Sequence, residues 1–290
     1  MEQLLVFLYA ESPVHAGADT SAGVIDLPIQ REVATSYPVI WGQSVKGALR
    51  EAALDAGWDN VGDVFGPAVD DAAGAPAQGK ITVGDAHLVA FPAATLQHTF
   101  TWVTSELALG RLSRLMLRSG HRPPVVPRVA DGAIAIAGSS WAQQEVFGPT
   151  VLQVREETNG ALAAWATLLA TRAVTHTGPF SVFADKLTSD LVCVDQTAME
   201  LLVKEGTEVQ ARVQLTRAKT VQNGPFYCEY LPTETIMAAT VTLTGQGGQA
   251  AEHRALLESL IGGDTALLQI GGDETIGKGL VWVRTNRASA

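Results

Sequence analysis

The stretch Pro38-Val39-Ile40-Trp41-Gly42-Gln43-Ser44-Val45-Lys46-Gly47-Ala48-Leu49-Arg50 contains a helix start, and its neighbours decide the fold. Ser44 is a preferred capping residue, Ala and Leu fill an apolar face, and Gly57 supplies a stop, which predicts a helix of about three turns. Upstream, Gln3 to Tyr9 is an apolar strand candidate, joined to the helix by a Gly-, Ser-, Pro- and Asp-rich connection from Glu11 to Thr35. Downstream, a strand is expected from about Lys80 to Phe91. The pattern returns near the other end of the chain. A strand near Ala238 to Leu243, a helix from about Glu252 to Ile261 closed by Gly262-Gly263, and strands near Leu267 and Val281 form a second βαβ run. Two such runs predict an α+β fold on the ferredoxin-like plan shared by RNA-recognition domains.

Between these runs, residues from about 101 to 206 read as an insertion into a single domain whose core lies at about 1–100 and 207–290. Ser105 to Ser119 has helical spacing, with Leu109, Leu112 and Met116 on one side and Arg111, Arg114 and Arg118 on another. Val209, Ala211, Val213 and Leu215 alternate with Gln210, Arg212, Gln214 and Thr216, the period of a half-buried strand, and Asn223-Gly224 is a turn signal after it.

The chain has 290 residues, with 20 Lys and Arg against 30 Asp and Glu, a formal charge of −10. Hydrophobic residues make up 47%, enough for a core and too many for a disordered chain. The seven-residue run Leu4 to Ala10 lacks a basic flank and a cleavage site, so it reads as a strand and not a signal peptide. No membrane span is expected, and two cysteines, Cys193 and Cys228, suit a reducing cytoplasm. The charge is uneven. No acid occurs between Glu106 and Asp131, where Arg111, Arg114, Arg118, Arg122 and Arg128 fall, while Asp55, Asp59, Asp63, Asp70 and Asp71 crowd another stretch. A basic face and an acidic face are expected, so the acidic total does not exclude nucleic acid.

Four segments carry chemistry. Ser44, Lys46, Gly47 and Arg50 place helix amides and two cations together, as phosphate binding requires, and an ordinary capped helix fits the same residues. The loop Gly271-Gly272-Asp273-Glu274-Thr275-Ile276-Gly277-Lys278-Gly279 is one residue from a phosphate-binding P-loop, with Gly279 where Ser or Thr would bind magnesium. It feeds a strand and carries two acids, so a nucleotide hydrolase is rejected. What remains is a plain turn or a loop that lets a nucleic-acid backbone approach, with Lys278 as its cation. Asp26, in Gly23-Val24-Ile25-Asp26-Leu27-Pro28-Ile29-Gln30-Arg31-Glu32, fits a turn residue or a partner of Arg31 as readily as a catalytic carboxylate. Phe226 and Tyr227, in Gly224-Pro225-Phe226-Tyr227-Cys228-Glu229, could stack on bases or lie in the core.

Taken together, these segments resemble the RAMP-superfamily backbone subunit of the type III-B CRISPR (Cmr) effector complex. The resemblance rests on Gly23 to Glu32, Pro38 to Arg50, Val64 to Pro67, Gly84 to Ala86, Phe100 to Ser105, Lys219 to Thr235 and Gln269 to Gly279, in the family's order. It implies a modified RNA-recognition palm with an inserted thumb hairpin and helical insertions. Such a subunit polymerises head to tail along a crRNA, beside other Cmr subunits, and cuts complementary target RNA at regular intervals. By position the resemblance makes Asp26 the catalytic acid and ligand of Mg²⁺ or Mn²⁺, with His15, Asp85 and Glu229 in support. Ser44, Lys46, Gly47, Arg50 and Gly271 to Gly279 would hold RNA, aided by Arg111 and Arg114, and Phe226 and Tyr227 would form the thumb. A non-catalytic crRNA-binding scaffold is the alternative reading, and a metal-independent nuclease with His15 as general base is another. Trp41 departs from the family's usual Pro, and the thumb segment is one residue short.

Overall fold

The computed structural model describes residues 2–18, 23–67, 78–138, 141, 143–154, 160–244, 249–261 and 266–286. In chain order the elements begin with β1 (Glu2–Ala10), β2 (Val39–Ile40), α1 (Gly42–Asp55), α2 (Val61–Phe65), β3 (Ile81–Val83), β4 (Ala86–Thr95), β5 (Thr99–Ser105) and α3 (Glu106–Arg118). Then come β6 (Ala133–Ile136), β7 (Gln144–Phe147), β8 (Thr150–Val154), α4 (Ala161–Leu169), α5 (Ser181–Asp190), β9 (Leu191–Val194) and α6 (Gln196–Glu205). The chain closes with β10 (Glu208–Leu215), β11 (Val221–Tyr230), β12 (Ile236–Leu243), α7 (Gln249–Leu260), β13 (Ala266–Gln269) and β14 (Leu280–Asn286).

One mixed sheet runs in the order β13-β14-β1-β12-β4-β5-β9-β6-β8-β7, with β3 also on β12 and β2 on β4. β7 returns to pair with β4 through Thr95 and Phe147, so the sheet curls into a barrel at that end. The segment read as an insertion therefore supplies strands to the same sheet. Strand β1 shows why the layers form: its period of two sends alternate side chains to opposite faces. Leu4, Val6, Leu8 and Ala10 pack with Val45, Leu49 and Ala53 of α1 and Leu257 of α7. Leu5, Phe7 and Tyr9 pack with Leu109, Leu112 and Met116 of α3 and Leu162, Trp165 and Leu169 of α4. Each such buried Val, Leu, Phe or Met side chain contributes about 1.5–3 kcal/mol, so the helices are held by both faces of one strand.

Four sequence expectations are corrected. Trp41, not Ser44, is the N-cap residue of α1, and no side chain of its own segment caps it; the amide of Ser44 already donates to the Trp41 carbonyl at 2.8 Å. The expected strand from Lys80 to Phe91 is two strands, broken at Gly84-Asp85, where the Gly84 amide turns to the Thr240 carbonyl. Asn223-Gly224 lies inside β11; the turn is at Thr216 to Thr220, closed by a 2.8 Å hydrogen bond. The alternation in β10 is real but inverted. The β10–β11 hairpin forms its own two-stranded sheet, and Val209, Val213 and Leu215 are exposed while Gln210 and Arg212 are half-buried. Asp70, Asp71 and Gly262-Gly263 lie outside the described residues.

Candidate functional site

The loop carrying Asp26 is laid along the base of the β10–β11 hairpin. Leu27 donates its amide to the Tyr227 carbonyl at 3.0 Å and accepts from the Glu229 amide at 2.9 Å, a short parallel bridge. The Tyr227 amide in turn donates to Asp26 Oδ2 at 2.8 Å. Asp26 is exposed, and its Oδ1 has no protein partner among the described residues. It does not pair with Arg31, as its position in the loop had allowed.

Arg31 is instead held by Glu229 at 2.6 Å and also donates to the Ser36 and Val203 carbonyls. Glu229 is buried, and both its oxygens are engaged, Oε2 by the Ile29 amide at 3.0 Å and Oε1 by Arg31 and the Thr207 hydroxyl. It positions the loop three residues after Asp26 and is not open to a substrate. The next residue, Glu32, accepts from Arg111 on α3 at 2.7 Å and lies 3.0 Å from His87 Nδ1. Burial works against the Glu32 carboxylate, but hydrogen bonds from Thr35, Arg111 and His87 win and hold it below the usual range. Arg111, expected on RNA, is thus tied to the Asp26 loop.

His15 sits across the hairpin base. Its Nδ1 is 2.8 Å from the Glu229 carbonyl oxygen, and because that oxygen can only accept, Nδ1 carries the hydrogen of this bond. The His15 carbonyl accepts from the Gly272 amide at 3.0 Å, so the glycine loop is stitched to the segment before Asp26. Gly271 is required there: its φ is +86°, and a Cβ would stand 2.3 Å from the His15 carbonyl oxygen. Asp273, an obstacle to a phosphate cradle, has another task. It binds Arg212 at 2.7 Å and the Tyr230 hydroxyl at 2.8 Å, tying the loop to both hairpin strands. Burial opposes its charge, but Tyr230 and Arg212 keep its carboxyl below the usual range. Lys278 lies over the Tyr230 ring, 4.8 Å from its centre.

Asp85 is elsewhere. Its Oδ1 accepts the Gly42 amide at 2.7 Å, capping α1 from a distant strand break, the nonlocal cap that local reading missed. Arg50 donates to the Gly66 carbonyl at 2.5 Å, whereas Lys46 has no partner among the described residues. Ser44 and Gly47 face Gly271 and Glu274 across a 590 Å³ cleft that also includes Glu51 and Asp55. Gly272, Gly277 and Gly279 complete the loop beside it. Phe226 and Tyr227 follow one another on β11 and so point to opposite faces, both partly exposed. Among the described residues no group of three His, Cys, Asp or Glu side chains could hold a metal ion, so Asp26, His15, Asp85 and Glu229 form no metal cage. Arg31, Glu32, Arg212, Tyr230 and Asp273 are site residues whose partners lie up to about 200 positions away, and no local signal marks them.

Residues 7–282 match the family described as the RAMP superfamily. The chain belongs to the RAMP superfamily. This RAMP chain is 31% identical over 291 residues to the CRISPR system Cmr endoribonuclease Cmr4 of Pyrococcus furiosus, covering 98% of this chain and 95% of that protein. The crystal structure of oligomeric Cmr4 from Pyrococcus furiosus superposes on it with a TM-score of 0.76 at 26% identity, over the whole of both chains. A type III-B Cmr-beta complex bound to cognate target RNA shares the RAMP chain's fold, with a TM-score of 0.74 at 18% identity over 98% of this chain and 97% of that one. No helix among the described residues is long and apolar enough to cross a membrane.

Proposed function

We propose that this chain is the crRNA-binding backbone subunit of a type III-B CRISPR effector, assembled head to tail in the cytoplasm with other Cmr subunits, and that it cuts complementary target RNA through Asp26. The relative's name, an endoribonuclease, and the oligomeric form of that relative support the reading. Its carrying observation is local. Asp26 is exposed at the base of the hairpin, with its carboxylate oriented by the Tyr227 amide. Of the other two expected acids, Glu229 is buried and Asp85 caps α1.

Neighbouring strands in the order β14-β1-β12-β4, with α1 and α7 packed on the same face, support reading this part as a modified RNA-recognition palm. The hairpin is the thumb, and 1–290 is a single domain. On the α1 and glycine-loop side Lys46 and Lys278 are the cations that meet RNA backbone, since Arg50 and Arg111 are engaged within the chain.

In the cutting step Asp26 Oδ1 accepts a hydrogen bond from the 2′-hydroxyl beside the scissile phosphate. The 2′-hydroxyl gives its proton to Asp26 as its oxygen bonds to phosphorus, the bond from phosphorus to the 5′-oxygen breaks, and the 5′-oxygen takes up a proton from water, giving a 2′,3′-cyclic phosphate and a 5′-hydroxyl. His15, held at Nδ1 by the Glu229 carbonyl, supports the cut from the hairpin base. A lone exposed carboxylate fits a Mg²⁺ or Mn²⁺ ion that takes its other ligands from RNA phosphates, and such an ion supplies charge stabilisation at the phosphoryl oxygens.

The test is reconstitution of the guide-loaded complex with wild-type or Asp26→Asn protein and end-labelled complementary RNA. Evenly spaced fragments that vanish in the variant, with guide and target still bound, are expected. Bound target with no fragments from wild type establishes the non-catalytic scaffold instead.

A further inference from the structure

Away from the Asp26 site, α3 carries a basic pocket whose cations the proposed cut does not use. Arg111, Arg114, Leu115 and Arg118 of α3, with His87 of β4, enclose 420 Å³. Glu32 neutralises one cation, through Arg111, and leaves Arg114 and Arg118 without a partner among the described residues. These two guanidiniums are four residues apart on one helix, a spacing at which like charges repel unless an anion lies between them. α3 packs on the face of β1 opposite α1, so this pocket is separate from the α1 and glycine-loop cleft. Through Glu32 it is linked to the Asp26 loop. The six peptide steps from Asp26 to Glu32 span at most about 22 Å, within reach of one RNA strand.

We infer that the Arg114–Arg118–His87 pocket binds a phosphodiester of the RNA strand that runs past Asp26. Planar guanidiniums match phosphate oxygens in a bidentate fork. An anion seated there lies against the same Arg111 that anchors Glu32, so strand binding and the placement of the Asp26 loop share one side chain. The inference rests on the proposed function, which it extends by a second phosphate site.

The experiment compares wild-type, Lys46→Ala and Arg114→Gln/Arg118→Gln full-length protein in anisotropy titrations with a labelled single-stranded RNA across a salt series. Thermal melts confirm folding, and Arg111 is left intact to spare its Glu32 pair. Each lost phosphate contact lowers the salt slope by about 0.7 for single strands. The double variant, which removes the one phosphate contact, is expected to lose about 0.7 from the slope and to bind roughly 5-fold more weakly near 0.1 M salt. An unchanged slope with wild-type binding intact overturns the pocket while leaving the proposed function standing. A drop in the assembly size of RNA-free protein, with the slope unchanged, overturns it in favour of a protein carboxylate. Wild-type protein that binds no RNA overturns both the pocket and the proposed function.

Discussion

The guanidinium of Arg31 lies 2.6 Å from the carboxylate of Glu229, joining residues 198 positions apart. Glu229 also accepts the Ile29 amide, so one buried carboxylate fixes both sides of the turn that follows Asp26. The neighbouring Glu32 binds in the opposite sense, to Arg111 on α3. Alternating charges at positions 31 and 32 thus clamp the loop between the hairpin base and α3, and Asp26 projects from the free end of the clamp.

Removing one partner of a buried pair leaves the other charge uncompensated. Glu229→Ala is expected to cost about 2–4 kcal/mol in urea unfolding and to reduce target cutting, because the loop loses its tie at Ile29. Glu229→Gln keeps acceptor capacity at that site and should cost less. Equal losses in the two variants would contradict a charge-dependent clamp.

Glu234 is driven the other way. Burial raises its pKa from 4.5 to about 7, and the Tyr9 hydroxyl donates to its Oε2. A carboxylate whose folded pKa is raised favours folding while protonated. Its stabilising contribution is fully present below pH 4.5 and is lost as the pH rises through about 7. Glu234→Gln holds the neutral form at every pH. It should therefore melt above wild type at about pH 8, by the equivalent of roughly 1–3 kcal/mol after allowing for partial exposure, and converge with it near pH 5. A difference that does not vary with pH would contradict this.

How much of this was legible depends on whether the deciding partner is local. Leu109, Leu112 and Met116 are buried as their spacing predicts, and Ser105 caps α3 through the Ala108 amide at 3.2 Å, all within one helix. Ser44 misled because the cap of α1 comes from Asp85, 43 residues on from Gly42. Val209 and Val213 misled because period two reports a pleat and not which side of it has a neighbour; the hairpin stands apart from the main sheet. Arg50 and Arg111 read as free cations, since nothing nearby in sequence reveals the Gly66 carbonyl or the Glu32 carboxylate. Asp26 reads from the sequence only as a residue of an irregular loop, since nothing near it reveals the Tyr227 amide that its carboxylate accepts.

Asp273 predicts the opposite pH behaviour from Glu234. Tyr230 and Arg212 hold its pKa below 3.8 against the effect of burial, so the stability it contributes is present at neutral pH and is lost as the pH falls through that lowered value. Asp273→Asn still suits the residue's φ of +66° and removes only the charge. With Arg212 half-exposed, the expected cost at pH 7 is about 1 kcal/mol, and it is smaller at pH 3. Chemical denaturation at the two pH values measures it, and an equal cost in acid would show that the loss is one of shape.

Two glycines separate structural need from binding need. At Gly271 a side chain would meet the His15 carbonyl oxygen at 2.3 Å in a left-handed backbone, so Gly271→Ala must move either His15 or the loop. A loss of about 2–4 kcal/mol is expected. Gly47 lies inside α1 with nothing within 4 Å of where a Cβ would stand and no left-handed φ. Packing therefore gives no reason for glycine there, and glycine in a helix interior costs up to about 1 kcal/mol relative to alanine. Gly47→Ala should raise the melting temperature. If RNA backbone lies against α1 beside Lys46, the same methyl group intrudes on it, and affinity for single-stranded RNA should fall as stability rises. Higher stability with unchanged RNA affinity would move the guide strand away from this helix, whereas lost stability would mean that α1 is packed more closely at Gly47 than its open surroundings indicate.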